Sequence, residues 1–170
     1  MSTLRLLGCL DGVNAEVLGQ AISQLWPSAS GQQPQVGLLY VIDTRPRGEL
    51  ERRRERFWRP PHLPLARQEQ LRQAERETAQ EILQEGARYV RGAELLQREG
   101  RAEQEILRCA QEWGATLIVL CARSPRGERG PEQGPASVGH VARFVLDHAS
   151  CPVLLLRGSW SLASAKEGPA

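Results

Sequence analysis

Residues 114–158 read GATLIVLCARSPRGERGPEQGPASVGHVARFVLDHASCPVLLLRG. Thr116–Cys121 is a continuous apolar run of strand length, and Pro152–Leu156 is a second. Between them, Val138, Val141, Ala142, Val145, Leu146 and Ala149 recur at helical spacing, which predicts a helix over Val138–Ala149. Residues 122–137 are crowded with Gly, Pro and Arg and read as a loop. Strand, glycine-rich loop, helix, strand is the arrangement in which α/β proteins hold phosphate, because the loop delivers backbone N–H groups and a helix amino terminus to one point.

The upstream chain repeats the alternation. Leu4–Leu10 is a compact apolar run that ends at Asp11-Gly12 and reads as the first strand. Asn14 is a residue type that caps helices, and Val17, Leu18, Ala21, Ile22 and Leu25 follow at helical spacing up to Pro27. Val36–Ile42 is apolar throughout, which implies a strand buried on both faces. A long helix is expected over Leu65–Arg91, with Leu71, Ala74, Thr78, Ile82 and Tyr89 as its narrow apolar stripe. Glu94–Gln97 predicts a short third strand. Glu103–Trp113 predicts a helix with Ile106, Leu107, Ala110 and Trp113 inward and Gly114 as its stop.

Five strands alternating with helices require helical crossovers, hence a parallel sheet. The expectation is a single three-layer α/β/α sandwich with a five-stranded sheet of order 3-2-1-4-5 and a switch point between strands 1 and 4. Ligands in such sheets bind at the strand carboxyl ends, where Asp11, Val41, Asp43, Cys121 and the loop to Gly139 fall. The domain spans 1–158, with an Arg/Pro-rich excursion over 44–64 and a small polar tail over 159–170.

Composition narrows the classes. The 170 residues carry a net charge of +2, too small to argue for nucleic acid, and 41% are apolar, enough for one core. Lys166 is the single lysine. No apolar run approaches a membrane span, and the amino terminus reads as a strand, not a leader. Cys9, Cys109, Cys121 and Cys151 form no C-x-x-C pair and read as small buried hydrophobes in a reducing cytoplasm. His62, His140 and His148 stand at no ligand spacing to a cysteine, so no metal site is expected. Neither G-x-S-x-G nor G-x-G-x-x-G occurs where an enzyme of this topology would place it, so a binding protein is expected and not an enzyme.

The residues LDG at the end of the first strand, LLYVID in the second, and GHVARFVLDHASCPVLLLRG resemble the universal stress protein family over roughly 4–158. The resemblance implies a homodimer joined through the last strand, Pro152–Leu156, a stress-response role, and in many members ATP, with Mg2+, on the motif G-x2-G-x9-G-[ST]. Carried over, Asp11 matches the first-strand aspartate and Val41 the position lining the adenine pocket. Gly139 matches the third motif glycine, and His140 takes the place of the phosphate-binding hydroxyl. The earlier glycines fall on Cys121 and Ser124 when counted from the strand, or on Gly127 and Gly130 when the loop is allowed to lengthen. The second register leaves eight residues before Gly139. Neither reproduces the motif.

Several features admit two readings. Asp11 is a ligand group, or the residue that turns the chain off its strand. The loop 122–138, with Arg123, Arg126 and Arg129, is a remodelled phosphate clamp or a solvated insertion. Seven arginines between Arg45 and Arg59, with Glu49, Glu51 and Glu55 among them, read best as a self-paired solvated segment, although the adjacent Phe57 and Trp58 call for a packing partner. Two functions follow: a cytoplasmic dimer that binds an adenine nucleotide, or a dimeric interaction module of the same fold without one.

Overall fold

The computed structural model describes residues 4–27, 33–44, 65–122 and 138–157. The excursion over 45–64, the loop over 123–137 and the tail from 158 lie outside the described residues. The elements run β1 (Arg5–Leu10), α1 (Ala15–Leu25), β2 (Gln35–Asp43), α2 (Leu65–Tyr89), β3 (Glu94–Gly100), α3 (Ala102–Trp113), β4 (Leu117–Cys121), α4 (His140–His148) and β5 (Val153–Leu156). The five strands form one sheet in the expected order β3-β2-β1-β4-β5, every pairing parallel.

The central strands are buried because helices cover both faces, which is why they read as unbroken apolar runs. On one face Leu6 and Leu10 of β1, Leu38 of β2 and Val119 of β4 pack against Leu18 and Ile22 of α1 and Leu83 of α2. On the other, Leu7, Cys9, Leu39, Ile118 and Leu120 pack against Ile106, Cys109 and Ala110 of α3 and Ala142 and Val145 of α4.

The differences from expectation lie where charge or glycine hides the signal. β3 continues to Gly100, three residues beyond Gln97, although its end reads REG. Its charges are met by neighbours: Arg98 pairs with Glu112 at 3.0 Å and Glu99 with Arg76 at 2.8 Å. In α2 the buried face is Ala79, Leu83 and Gly86; of the expected stripe Ile82 packs against the core, while Leu71, Ala74, Thr78 and Tyr89 are exposed. The reason is Gly86: a Cβ there would come 2.8 Å from Leu10 Cδ1, so the helix rests on the sheet at the one position without a side chain. The last helix starts at His140, not Val138, and Leu146 lies outward. Gly114 ends α3 in the left-handed conformation expected of it. Trp113 is half-buried; its Nε1 donates to Glu94 at 2.8 Å and Arg5 lies 4.3 Å over its ring. His148 stacks on Phe144 at 4.2 Å on the outer side of α4.

Candidate functional site

The carboxyl ends of β1, β2 and β4 and the amino ends of α3 and α4 meet at one rim of the sheet. Asp11 leaves β1 there, exposed, and its Oδ1 accepts the Val13 N–H at 2.9 Å. This is an Asx turn, so one carboxylate oxygen shapes the loop. Asn14 was expected to cap α1. It does stand at the amino end of α1, but no side-chain capping bond forms. Its side chain turns back instead: Oδ1 accepts the Asp11 N–H at 3.0 Å, and Nδ2 donates to the Cys9 carbonyl at 3.0 Å. Buried at 6% exposure, Asn14 ties both sides of the loop to one amide.

Two neighbours register the Asp11 charge. Burial pushes the Tyr40 hydroxyl pKa up, and the Asp11 carboxylate adds to the rise. Burial likewise raises the Cys121 thiol, with Asp11 adding and an Asn14 hydrogen bond opposing. Leu10 pairs with Tyr40 in register, so Asp11 and Val41 stand one step beyond that pair. Val41 is half-buried and packs with the cluster under α3 and α4.

Gly139 heads α4 at φ 90°, ψ 157°, and its carbonyl accepts the Arg143 N–H at 3.1 Å. That conformation is strained for residues with a Cβ. His140 is the first helical residue and its side chain is 65% exposed. Its Nε2 lies 3.7 Å from Oε1 of Glu103, whose side chain is fully buried in the first turn of α3. The same oxygen takes Arg101 Nη2 at 3.1 Å and Nε at 3.2 Å. A carboxylate removed from water needs such a partner.

The fold therefore places Val41, Gly139 and His140 on the α3/α4 side of the sheet, with Asp11 at the rim. Gly127 and Gly130 lie outside the described residues, as do Arg123, Arg126 and Arg129. Asn14 as loop tie, Tyr40, Arg101 and the buried Glu103 were not expected. The only sequence signal for Glu103 is an acid in the first turn of a helix, which by itself marks a solvated dipole partner. A groove of about 400 Å3 between β2 and α2, lined by Tyr40, Asp43, Leu71 and Thr78, opens on the opposite side from His140. Among the described residues no three His, Cys, Asp or Glu side chains come together as metal ligands, and no helix is long and apolar enough to cross a membrane.

The residues fit a nucleotide in part. An exposed carboxylate suits ribose hydroxyls, and a helix start without a Cβ suits phosphate. Glu103 beside His140 is an anion where a phosphate would be received.

A doubly wound α/β sheet with a glycine-headed helix at its switch point defines a class of nucleotide- and phosphate-site folds. Within that class the description of the universal stress protein family matches residues 13–157, and the chain belongs to that family. Solved structures share the fold. The universal stress protein UspA from Lactobacillus plantarum is 21% identical, with a TM-score of 0.57 over 92% of this chain and 99% of that one. A universal stress family protein from Burkholderia pseudomallei is 24% identical, with a TM-score of 0.53 over 92% and 98%. No curated protein matches the sequence closely.

Proposed function

We propose that this protein is a dimeric, cytoplasmic binding protein for an adenine nucleotide, acting in stress response through occupancy of the rim between β1 and β4. Asp11 and Val41 take the adenosine end; Gly139 and His140 take the phosphates, with Mg2+ on the polyphosphate. The observation that carries this reading is Gly139: its φ of 90° is a backbone choice that serves close approach to the amino end of α4. The exposed Asp11 at the same rim and membership in the family support it. The dimer would form along β5, an edge strand whose Val153–Leu155 are only half-buried.

A melting curve with millimolar ATP and magnesium tests it. A ligand at about a hundred times its Kd stabilises by about 2.7 kcal/mol, which for a chain of this size raises Tm by roughly 5–10 °C. No shift, together with no nucleotide in the purified protein, removes this reading. One observation favours the alternative, a dimeric interaction module without nucleotide: the Glu103 carboxylate stands 3.7 Å from the residue meant to face phosphate.

A further inference from the structure

The side chain of Asn14 reaches in three directions at the switch point of the sheet. Its Oδ1 accepts the Asp11 N–H at 3.0 Å, and its Nδ2 donates to the Cys9 carbonyl at 3.0 Å. The same side chain hydrogen-bonds the Cys121 thiol at the end of β4. A primary amide carries two N–H donors and one oxygen, so this set calls on both kinds of group at once. A carbonyl and an N–H that must be met together fix which way the amide is turned. At 6% exposure the partners have little water to fall back on. One residue therefore joins the ends of β1 and β4 beneath the loop that carries Asp11.

The consequence falls on the Asp11 carboxylate. The main-chain N–H of Asp11 is held by Asn14, and its Oδ1 is held by the Val13 N–H at 2.9 Å. Main chain and side chain of the same residue are both anchored, so the carboxylate is aimed before any ligand arrives. A carboxylate accepts hydrogen bonds at about four positions, and the loop takes one of them. Asp11 is exposed, so the rest are open at the rim. An acceptor-only group fixed in this way suits two neighbouring hydroxyls on a sugar. It forms one bond fewer with a sugar that lacks one of them.

We propose that Asn14 is a positioning residue of the nucleotide site, and that by fixing the Asp11 carboxylate it makes this protein selective for ribonucleotides over 2′-deoxyribonucleotides. This rests on the adenine-nucleotide reading above and adds a choice of sugar. Asn14 does not touch the ligand; it acts through Asp11, whose carboxylate meets the ribose only in the orientation the amide imposes. The size of the effect follows from exposure. At an exposed carboxylate water replaces a missing hydroxyl, so the discrimination is on the order of tenfold, and not the roughly 10⁴-fold of a site that leaves a buried group unpaired.

Titration calorimetry with ATP and with 2′-deoxy-ATP, each with magnesium, tests it. The native chain should bind the deoxy form on the order of tenfold more weakly. Asp11→Ala should bring the two ligands within about twofold of each other. Asn14→Ala, measured where circular dichroism shows it folded, should do the same by lowering ATP affinity while the deoxy form stays within about threefold of its native value. Asn14→Asp keeps an oxygen for the Asp11 N–H but cannot donate to Cys9. It should melt lower than the native chain and still favour ATP by about fivefold or more, which separates aiming from stability. Should Asn14→Ala fail to fold, the Asn14→Asp ratio decides: a ratio within about twofold there overturns the inference. Equal affinity for both ligands in the native chain, a native ratio in Asp11→Ala, or an Asn14→Ala that keeps the native ratio or weakens both ligands alike also overturns it and leaves nucleotide binding standing. Absence of binding by both ligands removes the nucleotide reading and this one with it.

Discussion

The side-chain amide of Asn14 donates to the Cys9 carbonyl at 3.0 Å, tying the first residue before α1 to the end of β1. Because the other end of the same amide accepts the Asp11 N–H, the conformation of the Asp11 loop depends on one buried side chain. Asn14→Ala leaves a buried carbonyl and an N–H without partners; at about 1–3 kcal/mol for each orphaned group, a loss of about 2–6 kcal/mol is expected in urea unfolding. Asn14→Asp should also destabilise, because a carboxylate cannot donate to Cys9. If Asn14→Ala unfolds within about 0.5 kcal/mol of the native chain, water replaces the amide and the loop has another support.

Gly139→Ala places a Cβ at φ 90°, ψ 157°. Residues with side chains are held there only at about 1–3 kcal/mol, so the variant should melt lower, and the amino end of α4 should lose ATP affinity along with stability. A rotation of Gly139 toward extended backbone would spare the stability and lower ATP affinity alone. An unchanged Tm together with unchanged affinity would mean that the left-handed backbone at this helix start serves neither packing nor ligand.

The pattern of legible and hidden features follows from what hydropathy can record. β1, β2 and β4 are enclosed by helices, and enclosure on both faces writes itself as an unbroken apolar run. β3 stands at the sheet edge, where Arg98 and Glu99 are satisfied by Glu112 of the following helix and Arg76 of the preceding one, 14 and 23 residues away along the chain. Such pairs leave no local trace. The face of α2 was misread for a related reason. Gly86 makes the contact with Leu10 by having no side chain, and a stripe of apolar residues cannot include an absence. At the rim, Asp11 and Gly139 were visible because turn chemistry and helix starts are local. Glu103 was not, since its full burial is created by Arg101 and by the arrival of α4 from nearly forty residues later.

Stability should fall in alkaline solution. Burial raises the pKa of Cys9, Cys109, Cys121 and Cys151, and of the Tyr40 hydroxyl. Each group is neutral in both folded and unfolded chains below its unfolded value, about 8.5 for a thiol, and there it exerts no pH effect. Above that value the unfolded chain loses the proton while the folded chain keeps it. The folded state then binds more protons, and stability drops by up to about 1.4 kcal/mol per pH unit for each such thiol. Urea midpoints should be level from about pH 7 to 8 and decline from about pH 9, and Cys9→Ala should reduce the slope. A flat profile to about pH 10.5 would mean that water reaches the thiols. Alkylation gives an independent check: Cys9 and Cys109, both buried, should resist iodoacetamide in the folded chain and react once it is unfolded.

The open edge of β5 carries the last prediction. β4 pairs with β5 through Ile118–Val153, Val119–Leu154, Leu120–Leu155 and Cys121–Leu156, and β5 ends the sheet on that side. VLLL has no proline, glycine or charge to discourage another strand from pairing, and Val153, Leu154 and Leu155 keep only partial cover in the single chain. A second copy related by a two-fold axis would continue the sheet and close both edges at once. Leu155→Lys puts a charge at the centre of that contact, where it is desolvated twice over in a dimer and solvated in a monomer. Light scattering should give twice the chain mass for the native protein and the single mass for the variant, with the helical signal retained in both. A variant that remains a dimer places the interface elsewhere, and the next substitution belongs on the exposed Leu146 of α4. A native chain that is monomeric at high concentration removes the β5 interface altogether, and the half-buried leucines are then explained by the single sheet alone.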